Sequence, residues 1–280
     1  MLASFDWIVA ASVSLRPGAE GRVFLGCPVS LEDLLPLGKA VENVCWDSRR
    51  GAVAAQTDLR LGRLVLESKP LPNVPSDRVS SIICEAAKKE GVSMLDFSDE
   101  VENLQRRVAA AASWHPELEL PSLATSDVLS IASEWLPMYL GKASSAAELK
   151  KIDLCAALWG LLTFEQQKTV ERLAPSFVEV PTGSHIRLEY RIGAEAPVLR
   201  VRLQECFGLL DTPAVDGGKR PVLMELLSPG FKPVQLTSDL RSFWQTTYFE
   251  VRKELRRRYP KHSWPDDPLA AVPVRGVRRS

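Results

Sequence analysis

The segment TSDLRSFWQTTYFEVRKELRRRY, residues 237–259, predicts one long amphipathic helix. Its apolar side chains recur at helical spacing and therefore form one stripe along the helix. The members of this stripe are Leu240, Phe243, Trp244, Tyr248, Val251 and Leu255. The other side carries the cations Arg241, Arg252, Lys253, Arg256 and Arg257. Residues 237–239 should start the helix, and Pro260 should end it because proline cannot continue a helix.

The residues that precede this helix predict strands. Residues 186–192 and 198–203 flank Gly193 as the two arms of a hairpin would, and residues 221–227 form a further apolar run. We therefore expect residues 176–280 to form a C-terminal antiparallel sheet that the long helix covers.

The middle of the chain, residues 75–175, has helical spacing and helix-capping signals. Pro137 should kink or break the third helix, and the segment from Thr163 to Gln166 fits a capping box at the start of the last. The helices are expected at residues 77–89 (ending at Gly91), 99–113, 127–140, 146–161 and 163–175. This zone should be a helical middle domain.

Residues 1–74 alternate between short apolar segments and turn signals, which is typical of strands. The strands are expected at residues 7–15, 22–25, 44–47, 52–57 and 63–66, with a hairpin turn at residues 47–51 and a short helix at residues 30–37 capped by Ser30. The fold class is therefore α+β, with three zones at residues 1–74, 75–175 and 176–280.

Composition allows a globular protein but gives no direct functional signal. The 280 residues are 45% apolar and 25% charged, and the formal net charge is zero, which argues against a generic polyanion binder. Charge is nevertheless uneven, because residues 252–280 contain nine Lys or Arg and three Asp or Glu. That basic tail is balanced by an acidic remainder of the chain.

Cysteine usage and hydropathy indicate a cytoplasmic protein. The five cysteines are widely spaced and form no CxxC motif, so we interpret them as reduced thiols that lie mostly in the core. No apolar run approaches the ~18 residues that a membrane span needs, and the N-terminal residues do not form a convincing signal peptide. We expect no membrane association.

The sequence lacks the motifs of common enzyme classes. A motor ATPase needs a GxxxxGK[ST] phosphate cradle, and residues 217–220 (GGKR) have the wrong spacing and predict a hairpin loop instead. Motifs of the form GxGxxG, HExxH and GxSxG are also missing, and His115, His185 and His262 are far apart in sequence. We predict no catalytic residue, no metal ligand and no cofactor in this chain.

The basic C-terminal stretch has two interpretations. It can be a solvated helix face whose late arginines complement the helix dipole, which composition alone favours. It can also be a nucleic-acid surface, in which Arg252, Lys253, Arg256, Arg257 and Lys261 neutralise phosphates while Tyr259 or Trp264 stacks on bases. Such aromatic residues more often pack in cores or dock neighbouring segments than stack on bases.

A family resemblance bears on this choice. Two C-terminal segments, MELLSPGFKPVQLTSDLRSFWQTTYFEV (224–251) and VRKELRRRYPKHSWPDDP (251–268), resemble the C-terminal end of the HrpB family of bacterial DEAH-type helicases. The resemblance continues upstream through GSHIRLEYRIGAEAPVLRVRLQECFGLLDTP (183–213) and WDSRRGAVAAQTDLRLGRLVLESKPLP (46–72). It therefore covers nearly the whole chain.

The resemblance implies a parent with two RecA-like motor domains, a winged helix, a helical bundle, an oligonucleotide-binding (OB) barrel and a family-specific C-terminal region. Residues 1–74 would then be an incomplete OB-like β domain without its first strands, and one sheet edge would be open. The parent is an ATP-dependent RNA helicase that uses ATP and Mg²⁺. Its catalytic residues lie in the motor, so none is carried over to this chain.

Two functions follow as hypotheses, beside a third, an unrecognised enzyme, for which the sequence offers no nucleophile, metal set or acid–base pair. The first is an accessory region of an RNA helicase that binds RNA or another single-stranded nucleic acid and acts as a scaffold. The second is a protein-interaction module that docks on the helicase motor domains or on an acidic partner. Without the motor motifs, the chain should be inactive as an NTP hydrolase by itself.

Overall fold

The computed structural model describes residues 5–14 and 21–276 and confirms a mixed α+β fold. The strands are β1 (Ile8–Ser14), β2 (Arg22–Pro28), β3 (Lys39–Asp47), β4 (Ala52–Leu61), β5 (Leu64–Pro70), β6 (Phe177–Glu179), β7 (His185–Glu189), β8 (Val198–Arg202), β9 (Ala214–Val215), β10 (Arg220–Pro221), β11 (Leu223–Leu227) and β12 (Pro233–Thr237). The end of the first expected strand, Leu15, lies outside the described residues.

The helices are α1 (Leu31–Leu34), α2 (Ser76–Met94), α3 (Asp99–Trp114), α4 (Thr125–Ser130), α5 (Ala132–Trp135), α6 (Pro137–Leu140), α7 (Ala146–Leu149), α8 (Leu154–Trp159), α9 (Phe164–Leu173), α10 (Leu240–Gln245) and α11 (Tyr248–Arg258). The chain forms two compact units. The first contains the described residues up to Leu95 together with Ala132–Ile152, and the second contains Asp96–Ile131 and the described residues from Asp153 onward. The division at residues 74 and 175 stays a prediction.

In the first unit, β1 and β2 form an antiparallel hairpin, and β3, β4 and β5 form a separate three-stranded antiparallel sheet. The turn expected at residues 47–51 joins β3 to β4. There the carboxylate of Asp47 accepts hydrogen bonds from the backbone N–H groups of Arg49 and Arg50, and Gly51 adopts φ +61°. The expected Ser30 cap is also confirmed, since its side chain and that of Asp33 form a reciprocal capping box.

Helix α2 of the first unit passes through the glycine that was expected to end it. Gly91 is buried inside the helix, and the helix continues to Met94, which is also buried. Extending the helix by one turn places Met94 and Leu95 in the core, so tertiary packing outweighs the weak helix propensity of glycine.

In the second unit, five strands form one sheet in the order β12-β11-β8-β7-β6. The expectation of an antiparallel sheet is wrong at one position, because β8 and β11 pair in parallel, with Val198 opposite Leu223. The connection between these strands contains a short 3₁₀ turn and the small β9–β10 hairpin, and it returns the chain to the same end of the sheet. A parallel pair needs such a crossover of a dozen or more residues.

The single long helix expected at residues 237–259 is two helices, α10 and α11. Helix α10 begins after Asp239, whose carboxylate accepts a hydrogen bond from the backbone N–H of Ser242. It ends at Thr246, whose hydroxyl donates to the Ser242 carbonyl at 2.7 Å. Bonding of a threonine hydroxyl to a carbonyl in the preceding turn bends helices, and β-branched residues have low helix propensity.

Two of the expected middle helices are also divided. Residues 127–140 form α4, α5 and α6, and Pro137 begins α6 as the first residue of a new turn. Residues 146–161 form only the short helices α7 and α8, and Asp153 caps α8 through its carboxylate. The capping box expected at Thr163 and Gln166 is confirmed at the start of α9.

An aromatic cluster anchors α10 and α11 to the second unit. Phe207, Phe243, Trp244 and Tyr248 are buried, and their ring centroids lie 5.0–6.4 Å apart. The indole N–H of Trp244 donates to the Leu209 carbonyl at 2.8 Å, so the polar atom of this ring is satisfied inside the core. Both helices are thereby fixed to the turn that follows β8.

A histidine between two carboxylates joins α3 to the loop between β9 and β10. The Nε2 atom of His115 lies 2.5 Å from a carboxylate oxygen of the buried Asp216, and Nδ1 lies 2.9 Å from Glu117. Arg220 donates to the other oxygen of Asp216 at 3.0 Å. The hydrogen bonds to Asp216 and Glu117 raise the pKa of His115 above its usual value.

Replacement of His115 should therefore have a pH-dependent effect on stability. Because the folded-state pKa is raised, the stabilising charge is fully present below the unfolded value of about 6.5 and is lost as pH rises through the folded value. The thermal midpoint of wild type minus that of His115→Gln should be largest at about pH 6 and should shrink at higher pH. When Glu117→Gln is present in both proteins, the difference in thermal midpoint caused by His115→Gln should be smaller. If the thermal midpoints of wild type and His115→Gln change in parallel with pH, the assignment is contradicted.

The cysteines are only partly core residues. All five are free thiols, and Cys84 and Cys206 are buried as expected. Cys27 and Cys45 are exposed and Cys155 is half-buried, so the expectation of a mostly buried set is wrong. Burial raises the pKa of the Cys206 thiol, which favours the unreactive protonated form.

Candidate nucleic-acid interface

Helix α11 separates its apolar and basic sides. Tyr248 and Leu255 face the core, whereas Lys253, Arg256 and Arg257 are exposed. Residues spaced three and four apart share one face of a helix, so these three cations point in the same general direction. The last turn ends in three successive arginines, a position where positive charge also stabilises the helix dipole.

Arg252 does not belong to the exposed basic face. Its side chain is only 16% exposed, and its guanidinium forms an ion pair with Asp266, a residue of the segment that follows the helix. Because Arg252 follows Tyr248 by one turn, it lies at the edge of the buried stripe. The sequence-based placement of Arg252 on the exposed side is wrong. The ion pair of Arg252 with Asp266 instead joins the C-terminal segment to α11.

The remaining candidate cations form no ion pair within the part of the chain that the structure describes. Within residues 5–14 and 21–276, no carboxylate lies within ion-pair distance of Lys253, Arg256, Arg257 or Lys261, and all four are exposed. By contrast, Arg241 on α10 lies 2.8 Å from a carboxylate oxygen of Asp211. The candidate site therefore consists of Lys253, Arg256, Arg257 and Lys261, hereafter called the basic face.

Trp264 is a docking residue and offers no open ring to a base. Only 9% of it is exposed, and its indole N–H donates to the Tyr259 carbonyl at 2.8 Å. Tyr259 is half-buried, with its hydroxyl 3.5 Å from the Ser228 hydroxyl. We therefore remove Trp264 from the candidate binding residues and keep the core interpretation for both aromatic residues.

Part of the basic tail is packed against the second unit. The backbone N–H of Val274 donates to the Gln204 carbonyl, and that of Gly208 donates to the Pro268 carbonyl, each at 3.0 Å. Arg275 donates to the Thr182 carbonyl at 3.1 Å. The described part of the tail therefore packs against the rest of the second unit, and residues 265–276 are called the C-terminal strap. The exposed candidate cations without an ion-pair partner among the described residues lie on α11 and at Lys261.

One exposed aromatic residue beside the basic face was missed by the sequence-based reasoning. Phe249 is 48% exposed and precedes Lys253 by four residues and Arg256 by seven, so it lies on the same side of α11. The signal was present in the sequence, because Phe249 falls outside the apolar stripe. An aromatic ring beside cations is the combination that binds single-stranded nucleic acid.

The loop at residues 216–220 does not form a phosphate cradle. It joins β9 to β10 as the expected hairpin loop, and Gly217 and Gly218 adopt positive φ values of 62° and 91°. The carboxylate of Asp216 is buried beneath it, and no α-helix starts from it. These residues do not fit a nucleotide triphosphate with its Mg²⁺, so no step of nucleotide hydrolysis is assigned to them.

The described residues contain neither a metal-binding cluster nor a membrane-spanning helix. No cluster of three or more His, Cys, Asp or Glu side chains there is arranged to hold a metal ion. No helix in the same residues combines the length and the apolar character needed to cross a membrane.

Comparison with known proteins identifies two matching family models. Residues 135–268 match the model described as "ATP-dependent helicase C-terminal" (HrpB_C), and residues 37–71 match "ATP-dependent RNA helicase HrpB, connector region". Over 285 aligned residues the chain is 34% identical to the ATP-dependent RNA helicase HrpB of Escherichia coli (strain K12). That alignment covers 99% of this chain and 35% of the relative.

Two solved structures are also similar. A crystal structure of the E. coli DExH-box NTPase HrpB matches with a TM-score of 0.69 and 34% identity, covering 97% of this chain and 34% of that one. A crystal structure of the Escherichia coli DEAH/RHA helicase HrpB matches with a TM-score of 0.61 and 31% identity, covering 94% and 33%. The chain spans about a third of the length of these relatives.

Proposed function

We propose a function from one premise: the chain belongs to the HrpB family of helicases and corresponds to the connector and C-terminal regions of its members. In this proposal it is an accessory region that holds single-stranded RNA for an ATP-dependent motor. We assign no catalytic residue to it. A cytoplasmic location fits the five free thiols.

The observation that carries the proposal is the basic face, whose four exposed cations form no ion pair with any described residue. Lys253, Arg256 and Arg257 project from one side of a helix that the aromatic cluster holds in place. Exposed cations without intramolecular partners are free to neutralise phosphates and release counterions. Phe249 adds an exposed ring on the same side, which supports stacking on a base.

The first unit fits the same proposal as a part of an OB-like β domain. Its strands β1 to β5 form a hairpin and a three-stranded sheet, which leaves strand edges for pairing with further strands. OB barrels bind single strands on an open sheet face and its loops. Strands β1 to β5, which do not include α7 or the residues that follow it, would then supply a second contact region for the nucleic acid.

Reversal of two charges on the basic face tests the proposal. Single-stranded RNA should bind wild type with an association constant that falls steeply with salt. Three phosphate contacts correspond to a slope of about −2 in a plot of the logarithm of this constant against the logarithm of the salt concentration. Arg256→Glu/Arg257→Glu should weaken binding about tenfold or more at low salt and should reduce the slope by about 1.4. Fluorescence anisotropy across a salt series measures both quantities.

The matched control is Lys150→Glu/Lys151→Glu, which reverses an adjacent pair of exposed lysines in the first unit. This variant has the same change in net charge and should keep most of the affinity. Equal losses in the two double variants would show a generic charge effect. Wild-type protein that does not bind RNA at low salt would contradict the proposal outright.

A second candidate function is docking onto the helicase motor domains. The observation that favours it is the β1–β2 hairpin, where Val9, Val23, Phe24 and Leu25 are exposed, the last two at 68% and 64%. Apolar residues clustered on a surface are typical of protein contacts. Phe24→Ser/Leu25→Ser should weaken association with purified motor domains of a family member while RNA affinity stays unchanged, and unaltered association would remove this candidate.

A further inference from the structure

The turn between β11 and β12 presents an exposed aromatic ring in a strained backbone conformation. Phe231 is 65% exposed and has φ +59°, in the left-handed region that bulky residues rarely adopt. Such strain persists only where the surrounding structure enforces it, and it concentrates at functional sites. A ring that gains nothing from burial and is held in an unfavourable conformation calls for a functional explanation.

The residue before Phe231 is restricted to glycine by a tight contact. A Cβ atom on Gly230 would lie 2.7 Å from the hydroxyl oxygen of Tyr259, which is closer than a Cβ atom approaches a non-bonded atom. Glycine at position 230 therefore permits the close contact between this turn and the end of α11.

The turn is closed by three hydrogen bonds. The N–H of Phe231 donates to the Ser228 carbonyl at 2.9 Å, and the N–H of Ser228 donates to the Lys232 carbonyl at 2.8 Å. The N–H of Lys232 also donates to the Ser228 hydroxyl at 3.1 Å. Because Ser228 is buried, these bonds fix the position of the ring instead of leaving it on a loose loop.

A buried network holds a cation over the ring. The guanidinium of Arg202 lies 5.0 Å from the centroid of Phe231, and its Nε atom donates to a carboxylate oxygen of Glu205 at 2.9 Å. Glu205 is buried and also accepts hydrogen bonds from the hydroxyls of Thr182 and Ser184. One side of the ring is therefore covered by a positioned cation, while most of the ring surface stays exposed.

This turn adjoins the end of the basic face. Gly230 contacts Tyr259, and the guanidinium of Arg258 lies 5.9 Å from the centroid of the Tyr259 ring. Lys232 and Lys261 are exposed next to these residues in sequence. An exposed ring on a rigid turn thus lies at the C-terminal end of a helix that carries unpaired cations.

We propose that Phe231 is a base-stacking platform for single-stranded RNA that leaves the C-terminal end of the basic face. A base stacks on the exposed surface of the ring, and the Arg202 guanidinium supports the ring from its other side. This inference rests on the proposed RNA-binding function and adds the residue that contacts a base. The alternative occupant, an apolar side chain of a protein, is an outcome of the test.

The test compares Phe231→Ala with Phe231→Tyr in the full chain, using a single-stranded RNA of mixed sequence. Alanine retains the Cβ atom and the backbone strain but removes the ring, so affinity should fall about tenfold. Tyrosine retains the ring and should bind as wild type does. Because stacking is not a counterion effect, the salt slope of Phe231→Ala should equal that of wild type, unlike the slope of Arg256→Glu/Arg257→Glu.

Phe164→Ala is the matched control. Phe164 is 67% exposed and also has a cation beside its ring, with Lys168 4.2 Å from the centroid, but it begins α9 and is followed by Glu165. RNA affinity should not change in this variant. Circular dichroism checks that each variant is folded, and Phe231→Tyr provides a second comparison if alanine perturbs the turn.

The outcomes distinguish a failure of the stacking platform from a failure of the RNA-binding function. If Phe231→Ala binds RNA as tightly as wild type while Arg256→Glu/Arg257→Glu does not, the stacking platform is wrong and the RNA-binding function stands. If neither variant changes affinity, the RNA-binding function on this face is wrong as well. If Phe231→Ala instead weakens association with purified motor domains and leaves RNA affinity intact, the occupant is a protein.

Discussion

Trp244→Ala should lower the free energy of unfolding of the second unit by about 3–5 kcal/mol. The ring is 97% buried against Phe207, Phe243 and Tyr248, and its N–H is bonded to the Leu209 carbonyl. Alanine would leave a cavity among these rings and a buried carbonyl without its donor. Chemical denaturation followed by far-UV circular dichroism measures the change without depending on tryptophan fluorescence.

Two further variants divide this effect into its parts. Trp244→Phe keeps an aromatic ring but removes the N–H donor, and it should cost about 1–3 kcal/mol. Phe249→Ala removes a half-exposed ring five residues along the chain and should change stability by less than about 1 kcal/mol. A loss in Trp244→Ala no larger than that in Phe249→Ala would show that the cluster does not anchor α10 and α11.

The stability of this cluster and the geometry of the basic face are linked. Trp244 and Tyr248 belong to successive helices, and the Tyr248 hydroxyl also donates to the Pro265 carbonyl at 2.9 Å. These contacts determine which side of α11 faces the core and therefore which side exposes Arg256 and Arg257. Cations fixed on a rigid helix keep a constant spacing to the phosphates of a bound strand, whereas cations on a loose tail do not.

Local signals in the sequence predicted the parts of the fold that depend on neighbouring residues. The helix cap at Ser30, the capping box at Thr163, the turn after Asp47 and the apolar stripe of residues 240–255 each depend on side chains within a few positions. Their physical causes, a side-chain oxygen that caps N–H groups and a period near 3.6 residues, can be recognised in a single sequence.

The features that the sequence did not predict depend on distant residues. The parallel pairing of β8 with β11 follows from a long crossover, and the pairing of Arg252 with Asp266 follows from the fold-back of the C-terminal strap. The ring of Phe231 is positioned by contact between Gly230 and Tyr259, which are 29 residues apart in sequence. No periodicity encodes contacts of this kind, and so the candidate site was found only in part.

A second large effect on stability is expected at Asn103 on α3. Its side-chain amide donates to the Leu188 carbonyl at 3.1 Å, and its carbonyl accepts from the N–H of Tyr190 at 2.9 Å. The Asn103 amide thus provides hydrogen-bond partners for the backbone at the end of β7, beyond the residues of β7 that pair with β6. Asn103→Leu should cost about 2–4 kcal/mol, because both backbone groups would lose their partner in a buried location.

Gln105→Ala on the same helix provides the control. Its amide donates to the Thr125 hydroxyl at 3.2 Å in a partly buried position, where water can replace the lost partner. The expected loss is therefore below about 1.5 kcal/mol. If Asn103→Leu unfolded at the same denaturant concentration as Gln105→Ala, the amide would not be what joins α3 to the sheet. A larger loss in Asn103→Leu, together with faster hydrogen exchange at the Tyr190 amide, would show that one polar side chain connects the helical and sheet layers of the second unit.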